Sequence, residues 1–230
     1  MLESLNSTNT VLYAQLLVDL YVSTQSSEYL EEARFLFESL SSSSHEDYAR
    51  VLKHLASRSR FAEKFSEALD FYEQAGRAYK EMGLEQSPGY ADLLMNQGTA
   101  HRKAGNSESA LAAYRSSQHV YAVIGVTDSP GYALLLSEIG KLHEQMQDMC
   151  AAVHYFKEAL QIYHAAGAHA ATVAKLWARV GKGLESLEDM AQAADAYTQA
   201  RGLFEACGEV NHAVYAEVVS NASRLESGAR

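Results

Sequence analysis

The stretch from residue 87 to residue 125, SPGYADLLMNQGTAHRKAGNSESALAAYRSSQHVYAVIG, decides how the rest of the chain is read. Its opening, Ser87-Pro88-Gly89-Tyr90-Ala91, returns as Ser129-Pro130-Gly131-Tyr132-Ala133, a spacing of 42 residues that takes in both prolines of the chain. A fixed period of this length changes the meaning of every residue inside it, because such units bury their apolar faces only against copies of themselves.

Inside the quoted stretch, apolar residues at helical spacing predict a helix A from Tyr90 to Lys103. Ser87 supplies its N-cap and Pro88 a favoured first-turn residue. Ala104, Gly105 and Asn106 break the pattern. A helix B is predicted from Ser107 to Ile124, ended by Gly125 in a left-handed conformation. On helix B, Ala110, Tyr114, Ser117 and Tyr121 step by four, three and four, which puts small and aromatic groups on one face.

Outward from this unit the same columns persist. Tyr72, Tyr114, Phe156 and Tyr197 form one row and Tyr79, Tyr121, Tyr163 and Phe204 another, at intervals of 42, 42 and 41. Small residues form the rows Ala68, Ala110, Ala152, Ala193 and Ala75, Ser117, Ala159, Ala200, while Gly83, Gly125, Gly167 and Gly208 close each unit. The residue missing from the short interval falls in the loop around 168–171, which also lacks Ser-Pro-Gly, so the deletion leaves the helix faces in phase.

These rows predict four regular units at 48–89, 90–131, 132–172 and 173–214. A degenerate helix pair over 1–47 (Val11 to Val22 and Glu28 to Leu40) precedes them, joined by the serine run Ser41 to Ser44. A closing helix and short polar tail, from Ser223 to Arg230, fill 211–230. The expected fold is all-α, a right-handed solenoid of antiparallel helix pairs with eleven helices in one continuous domain. Composition agrees: the 230 residues are 47% hydrophobic with two prolines and no apolar run near the ~18 residues needed to span a bilayer. The net charge of −10 and pI near 5.4 argue against general affinity for nucleic acid or anionic lipid. The reading is of a soluble protein of the cytoplasm, with association to the cytoskeleton as a further expectation.

Aligned on Gly98, Gly140 and Gly181, the units resemble the tetratricopeptide motif. Trp177 stands four residues before Gly181, where that motif has its tryptophan, and the rows beginning at Ala68 and Tyr72 match its alanine and aromatic positions. The 42-residue length, the Pro-x-x-Ala entry (Pro88 to Ala91, Pro130 to Ala133) and Asn96 look most like kinesin light chain repeats. Similar long repeats occur in the vesicle-fusion adaptors of the soluble attachment protein family and in cell-polarity adaptors. The resemblance implies a non-enzymatic scaffold or adaptor that holds a peptide segment of a partner, as kinesin-light-chain-like repeats recognise cargo adaptors. The alternative is a structural or chaperone-like regulatory subunit of a larger assembly, working through its convex face or its ends.

The resemblance also implies that helix A lines the concave, ligand-holding surface. By register, that surface takes in Arg50, Lys53, His54, Arg60, Asn96, Arg102, Lys103, Lys141, Lys175, Arg179 and Lys182. Against nine Lys and Arg there stand only Asp92, Glu138, Glu144 and Glu185 at corresponding positions, so an acidic segment is a candidate ligand. A plain solvated helix face would carry the same residue types. The carboxylate clamp of chaperone-binding repeats does not fit, since Ser57, Leu134 and Glu138 stand where it needs Asn or cations.

No catalytic residue, cofactor or metal is expected. His101 and His143 recur at the motif's aromatic position, where packing accounts for them, and no nucleophile or carboxylate pair recurs beside them. His154, His164 and His169 lack metal-ligand spacing. Cys150 and Cys207 read as ordinary thiols. The helix-B tyrosines follow the core period and do not form a base-stacking surface, and Gly181, Gly183 and Gly202 lie within helical patterns, outside any phosphate loop.

Overall fold

The computed structural model describes residues 2–24, 26–40, 45–211 and 213–228. Among the described residues there are eleven helices and no strand. They are α1 (Leu2–Thr24), α2 (Ser27–Ser39), α3 (Glu46–Phe61), α4 (Phe65–Glu81), α5 (Pro88–Lys103), α6 (Ser107–Val123), α7 (Pro130–Gln145), α8 (Met149–Ala165), α9 (Ala170–Ser186), α10 (Met190–Cys207) and α11 (Ala213–Gly228). The serine run Ser41 to Ser44 lies outside the described residues. Helix α1 starts well before Val11, and α11 takes in 223–228, a stretch expected as polar tail.

Where the sequence suggests one continuous domain, the chain divides into two compact units, Met1–Ile124 and Gly125–Arg230. Unit 1 holds the pairs α1/α2, α3/α4 and α5/α6; unit 2 holds α7/α8 and α9/α10, with α11 packed on α9 and α10. Each has its own apolar core, one centred on Leu17, Leu30, Phe37, Leu52 and Tyr72, the other on Phe156, Val180, Tyr197 and Phe204.

The helix boundaries follow from local chemistry. Ser87 and Ser129 accept hydrogen bonds from the backbone N–H of Tyr90 and Tyr132, both at 3.2 Å, and Pro88 and Pro130 occupy the first turns. Helix α9, whose entry lost Ser-Pro-Gly, has His169 at the N-cap with no side-chain cap bond. Gly83, Gly125, Gly167 and Gly208 all have φ between 63° and 75°, the left-handed stop expected after each helix B.

Packing within a pair is set by one glycine and one ring. A Cβ added to Gly98 would lie 2.6 Å from the Tyr114 ring and one on Gly181 2.9 Å from Tyr197; on Gly140 it would overlap Phe156. The ring of helix B therefore lies directly on the backbone of helix A. The two rows of small residues are buried on either side of it. Ser117, the polar member, donates to the Ala91 carbonyl at 2.8 Å, so its burial leaves no unpaired hydroxyl.

Successive pairs within a unit are joined by a second aromatic contact. The entry aromatic of one helix A rests on the last aromatic of the preceding helix B: Phe37 with Tyr48, Tyr79 with Tyr90, and Phe204 with Tyr215, at centroid distances of 5.9, 5.7 and 6.1 Å. Phe37 stands 42 residues before Tyr79, so the N-terminal pair keeps the period. There Ala14 and Leu30, both fully buried, take the places held by glycine and ring further on.

Two outcomes follow. Gly140→Ala should lower unfolding free energy by about 1–3 kcal/mol, because the overlap with Phe156 outweighs the gain in helix propensity. Gly202→Ala, in a helix with open space around it, should raise stability by about 0.4–1 kcal/mol in the same urea titration. Equal effects would contradict the ring-on-backbone contact. Separately, Tyr121 donates to the Asp92 carboxylate at 2.6 Å, and burial together with that hydrogen bond pushes its phenol well above 10.0. A raised native pKa means stability is fully present below the unfolded value and is lost as pH rises toward the native one. Thermal melts should thus fall steeply above about pH 10, and Tyr121→Phe should flatten that fall while costing about 1–2 kcal/mol at neutral pH.

Candidate functional site

Residues three and four apart on one helix share a face, and in unit 2 this brings the helix-A positions to a single cleft. Its cavity volume is about 360 Å³. Helix α7 contributes Leu134, Ser137, Lys141 and Glu144; α9 contributes Lys175, Leu176, Ala178, Arg179 and Lys182; α11 contributes Val214, Glu217 and Val218. Tyr163 of α8 and Tyr197 of α10 close the floor from behind. Burial pushes both phenols up from their usual range, further for Tyr197, whose hydroxyl donates to Glu185 at 3.2 Å. They are proton-bearing, neutral groups at physiological pH.

Four residues expected from the sequence meet in this cleft: Lys141, Lys175, Arg179 and Lys182. Their charges are partly spent within the protein. Lys141 pairs with Glu138 at 2.5 Å along α7, while Arg179 of α9 reaches back to Glu144 of α7 at 2.6 Å. Glu185 of α9 repeats that link forward, accepting from Arg224 of α11 at 2.5 Å. Glu144 and Glu185 thus tie one helix A to the next. Lys182 and Lys175 sit 3.9 Å from Glu144 and Glu209, exposed and only loosely held, which leaves their charge available at the rim.

Sequence reasoning passed over the apolar part of the cleft. Leu134 is 41% exposed at the mouth, at the register position that holds Arg50, Asp92 and Lys175 in the other units. A single leucine among polar equivalents was the available signal.

In unit 1 the expected residues are distributed differently. Arg50 pairs with Asp47 at 2.9 Å and with Asp19 of α1 at 3.6 Å, and Gln15 of α1 donates to Asp47 at 2.6 Å. Lys53 donates to the Gly89 carbonyl at 3.3 Å, and burial pushes its ammonium down from the usual lysine range despite Asp92 and Glu46 nearby. His54 meets the Tyr21 ring edge-on at 5.1 Å; burial, then Lys53 and Arg50, push its imidazole down. Asn96 donates to the Asp92 carbonyl one turn back at 2.9 Å. Arg102 is half-buried on α5. Arg60 and Lys103 lie away from this group, against the exposed ring of Phe61 at 4.6 and 5.9 Å.

His143 stacks on Tyr155 at 5.4 Å and lies 3.1 Å from the Asp148 carboxylate, whose other oxygen caps α8 through the Ala151 N–H. Both cysteines are free thiols. Among the described residues no group of three His, Cys, Asp or Glu is placed to hold a metal ion, and no helix is long and apolar enough to cross a membrane.

Known proteins resemble the chain in two ways. By fold, it is similar to BtubC (BKLC) from P. vanneervenii, with 16% identity, coverage of 88% of this chain and 91% of that one, and a TM-score of 0.67. It is similar as well to the nearly identical TPR-like repeats of a putative kinesin light chain from Podosopora anserina (13%, 80% and 87%, TM-score 0.67). A third likeness is to the tetratricopeptide sensor-bearing STAND protein PH0952 from Pyrococcus horikoshii (16%, 92% and 34%, TM-score 0.71). At these identities the likeness establishes the tetratricopeptide-type fold alone. A comparison with curated proteins gives no match. By sequence, residues 23–205 match the family of the soluble NSF attachment protein, SNAP, and a match over well more than half of the chain, on repeats of this fold, places the protein in the SNAP family.

Proposed function

We propose that the protein is an attachment adaptor that holds a segment of a partner protein in the α7–α9–α11 cleft. Its helical-repeat fold generally serves protein interaction, and the family name itself speaks of attachment to another protein, NSF. The observation that carries the reading is Leu134. An apolar side chain left open at the mouth of a concave, tyrosine-floored cleft offers a partner the burial of an anchor, worth roughly 1.5–3 kcal/mol for a large apolar side chain.

Charge refines this reading. Because Glu144 already engages Arg179, a ligand carboxylate would be met chiefly by Lys175 and Lys182 at the rim, steering approach more than fixing affinity. A segment with one apolar anchor and flanking acidic residues fits best, in an extended or helical form. Cargo recognition of the kinesin-light-chain kind would be one use of such a site. A second reading, a regulatory subunit that docks through the helix-B side, draws on a hollow of about 400 Å³ around Trp177, Lys157 and Gln192.

Partners captured on the tagged full chain should be depleted roughly tenfold by Leu134→Asp combined with Lys175→Glu, as expected for loss of a central anchor. Arg115→Glu, which repeats the charge reversal of Lys175→Glu at an exposed position of α6, should leave them in place. Undiminished capture by the cleft variant would refute the cleft reading, and loss on Trp177→Ala with Lys157→Glu instead would favour the helix-B side.

A further inference from the structure

The ends of α3 and α5 in unit 1 carry a feature that the cleft does not use. Phe61 closes α3 and is 73% exposed, the most exposed of the large apolar side chains described. The Arg60 guanidinium lies 4.6 Å from its ring centroid and the Lys103 ammonium, at the end of α5, 5.9 Å. Arg58 is exposed one turn before Phe61, and Lys64 follows at the turn into α4, loosely paired with Glu67 at 3.7 Å. Among the described residues no carboxylate forms an ion pair with Arg58, Arg60 or Lys103, in a chain whose net charge is −10.

Compensation of the helix dipole does not account for this concentration. Cations at a helix C-terminus are stabilising by about 0.3–1 kcal/mol each. Yet the equivalent end of α9 has no basic residue in its last turn and that of α7 only His143, while α3 and α5 carry Arg58 and Arg60, and His101, Arg102 and Lys103. The repeat folds without them. A solvated ring flanked by two cations also gains little for the fold, because cation–π attraction at exposed sites is only about 0.5–1 kcal/mol and rises when the pair is desolvated. A ligand that covers the ring would bring that desolvation about.

We infer that the Phe61 edge of unit 1 is a second docking site, separate from the cleft, for an acidic protein segment that lays an apolar side chain on the Phe61 ring. Charge complementarity selects the occupant: Arg58, Arg60 and Lys103 meet its carboxylates, with Glu63 the exposed acidic neighbour that such a segment must avoid. Arg60 and Lys103 lie 4.6 and 5.9 Å from the ring centroid, so the anchor and its counter-charges arrive at one point. The area is small, which suits a short segment with fast exchange better than a folded domain.

The test uses the full chain and a fluorescein-labelled oligoglutamate peptide with one central leucine, followed by fluorescence anisotropy. All variants carry Leu134→Asp with Lys175→Glu, so that the cleft does not contribute; in that background binding should weaken roughly tenfold in Phe61→Ser and at least as much in Phe61→Ser with Lys103→Glu, while Arg115→Glu leaves it unchanged. Arg58→Glu, a change at one exposed side chain, gives a second reading of the charge requirement. Failure of the cleft-silenced chain to bind, undiminished binding in Phe61→Ser, or Phe61-dependent binding to phosphatidylserine vesicles but not to the peptide would each overturn the assignment.

Discussion

The contact on which the rest of the structure depends is the ring of helix B seated on the bare backbone of helix A. At Gly98, Gly140 and Gly181 there is no room for a methyl group beneath Tyr114, Phe156 and Tyr197. This close approach lets the alanines beside the ring reach the opposite helix. It also fixes how far one helix is turned relative to its partner, and so which residues of helix A face away from helix B. In unit 2 those outward residues are the cleft. The same glycine that lets the pair close therefore aims Lys141 and Lys182, each one residue beyond it, toward the ligand side.

Most of this fold was legible in the sequence, because a ring-and-glycine contact that must recur leaves a recurring trace. The helix order, the serine N-caps, the left-handed glycines and the buried rows all follow from the 42-residue spacing. The N-terminal pair was harder to read. Ala14 and Leu30 preserve the packing by exchanging a glycine–aromatic pair for an alanine–leucine pair, a swap that keeps volume but erases the letters that mark the period. Ala56 against Tyr72 is the intermediate case, with the ring kept and the glycine already gone.

The site was legible only in part, and the reason lies in how charge is used. Register puts Lys141, Lys175, Arg179 and Lys182 on one helix-A surface, and in unit 2 the four line one cleft. It could not show that Glu144 and Glu185 stand where the next helix A presents a cation, so that Arg179 and Arg224 act as rungs between helices. A half-buried bidentate carboxylate of this kind fixes the spacing of the helices it joins more than it adds net stability. Counting cations therefore overstated the basic character of the cleft, while the apolar contribution of Leu134 went unread because it interrupts a column otherwise held by Arg50, Asp92 and Lys175. The same counting merged Arg60 and Lys103 with Lys53, although the first two turn to Phe61 at the helix ends.

That division of labour bears on how the protein could discriminate between partners. Inter-helix rungs hold the cleft open with charges that are already satisfied, so a ligand gains little by competing for Arg179 and must offer shape and an apolar anchor instead. At the Phe61 edge the situation is reversed: among the described residues no carboxylate pairs with Arg58, Arg60 or Lys103, and the ring lies open to solvent. A ligand there gains from charge first and contact second. Two surfaces built on opposite balances of charge and burial would respond differently to salt, since the exposed edge is screened within a Debye length of about 8 Å at physiological ionic strength while burial in the cleft is not. Ionic strength would thus separate the two modes of attachment without any change of structure.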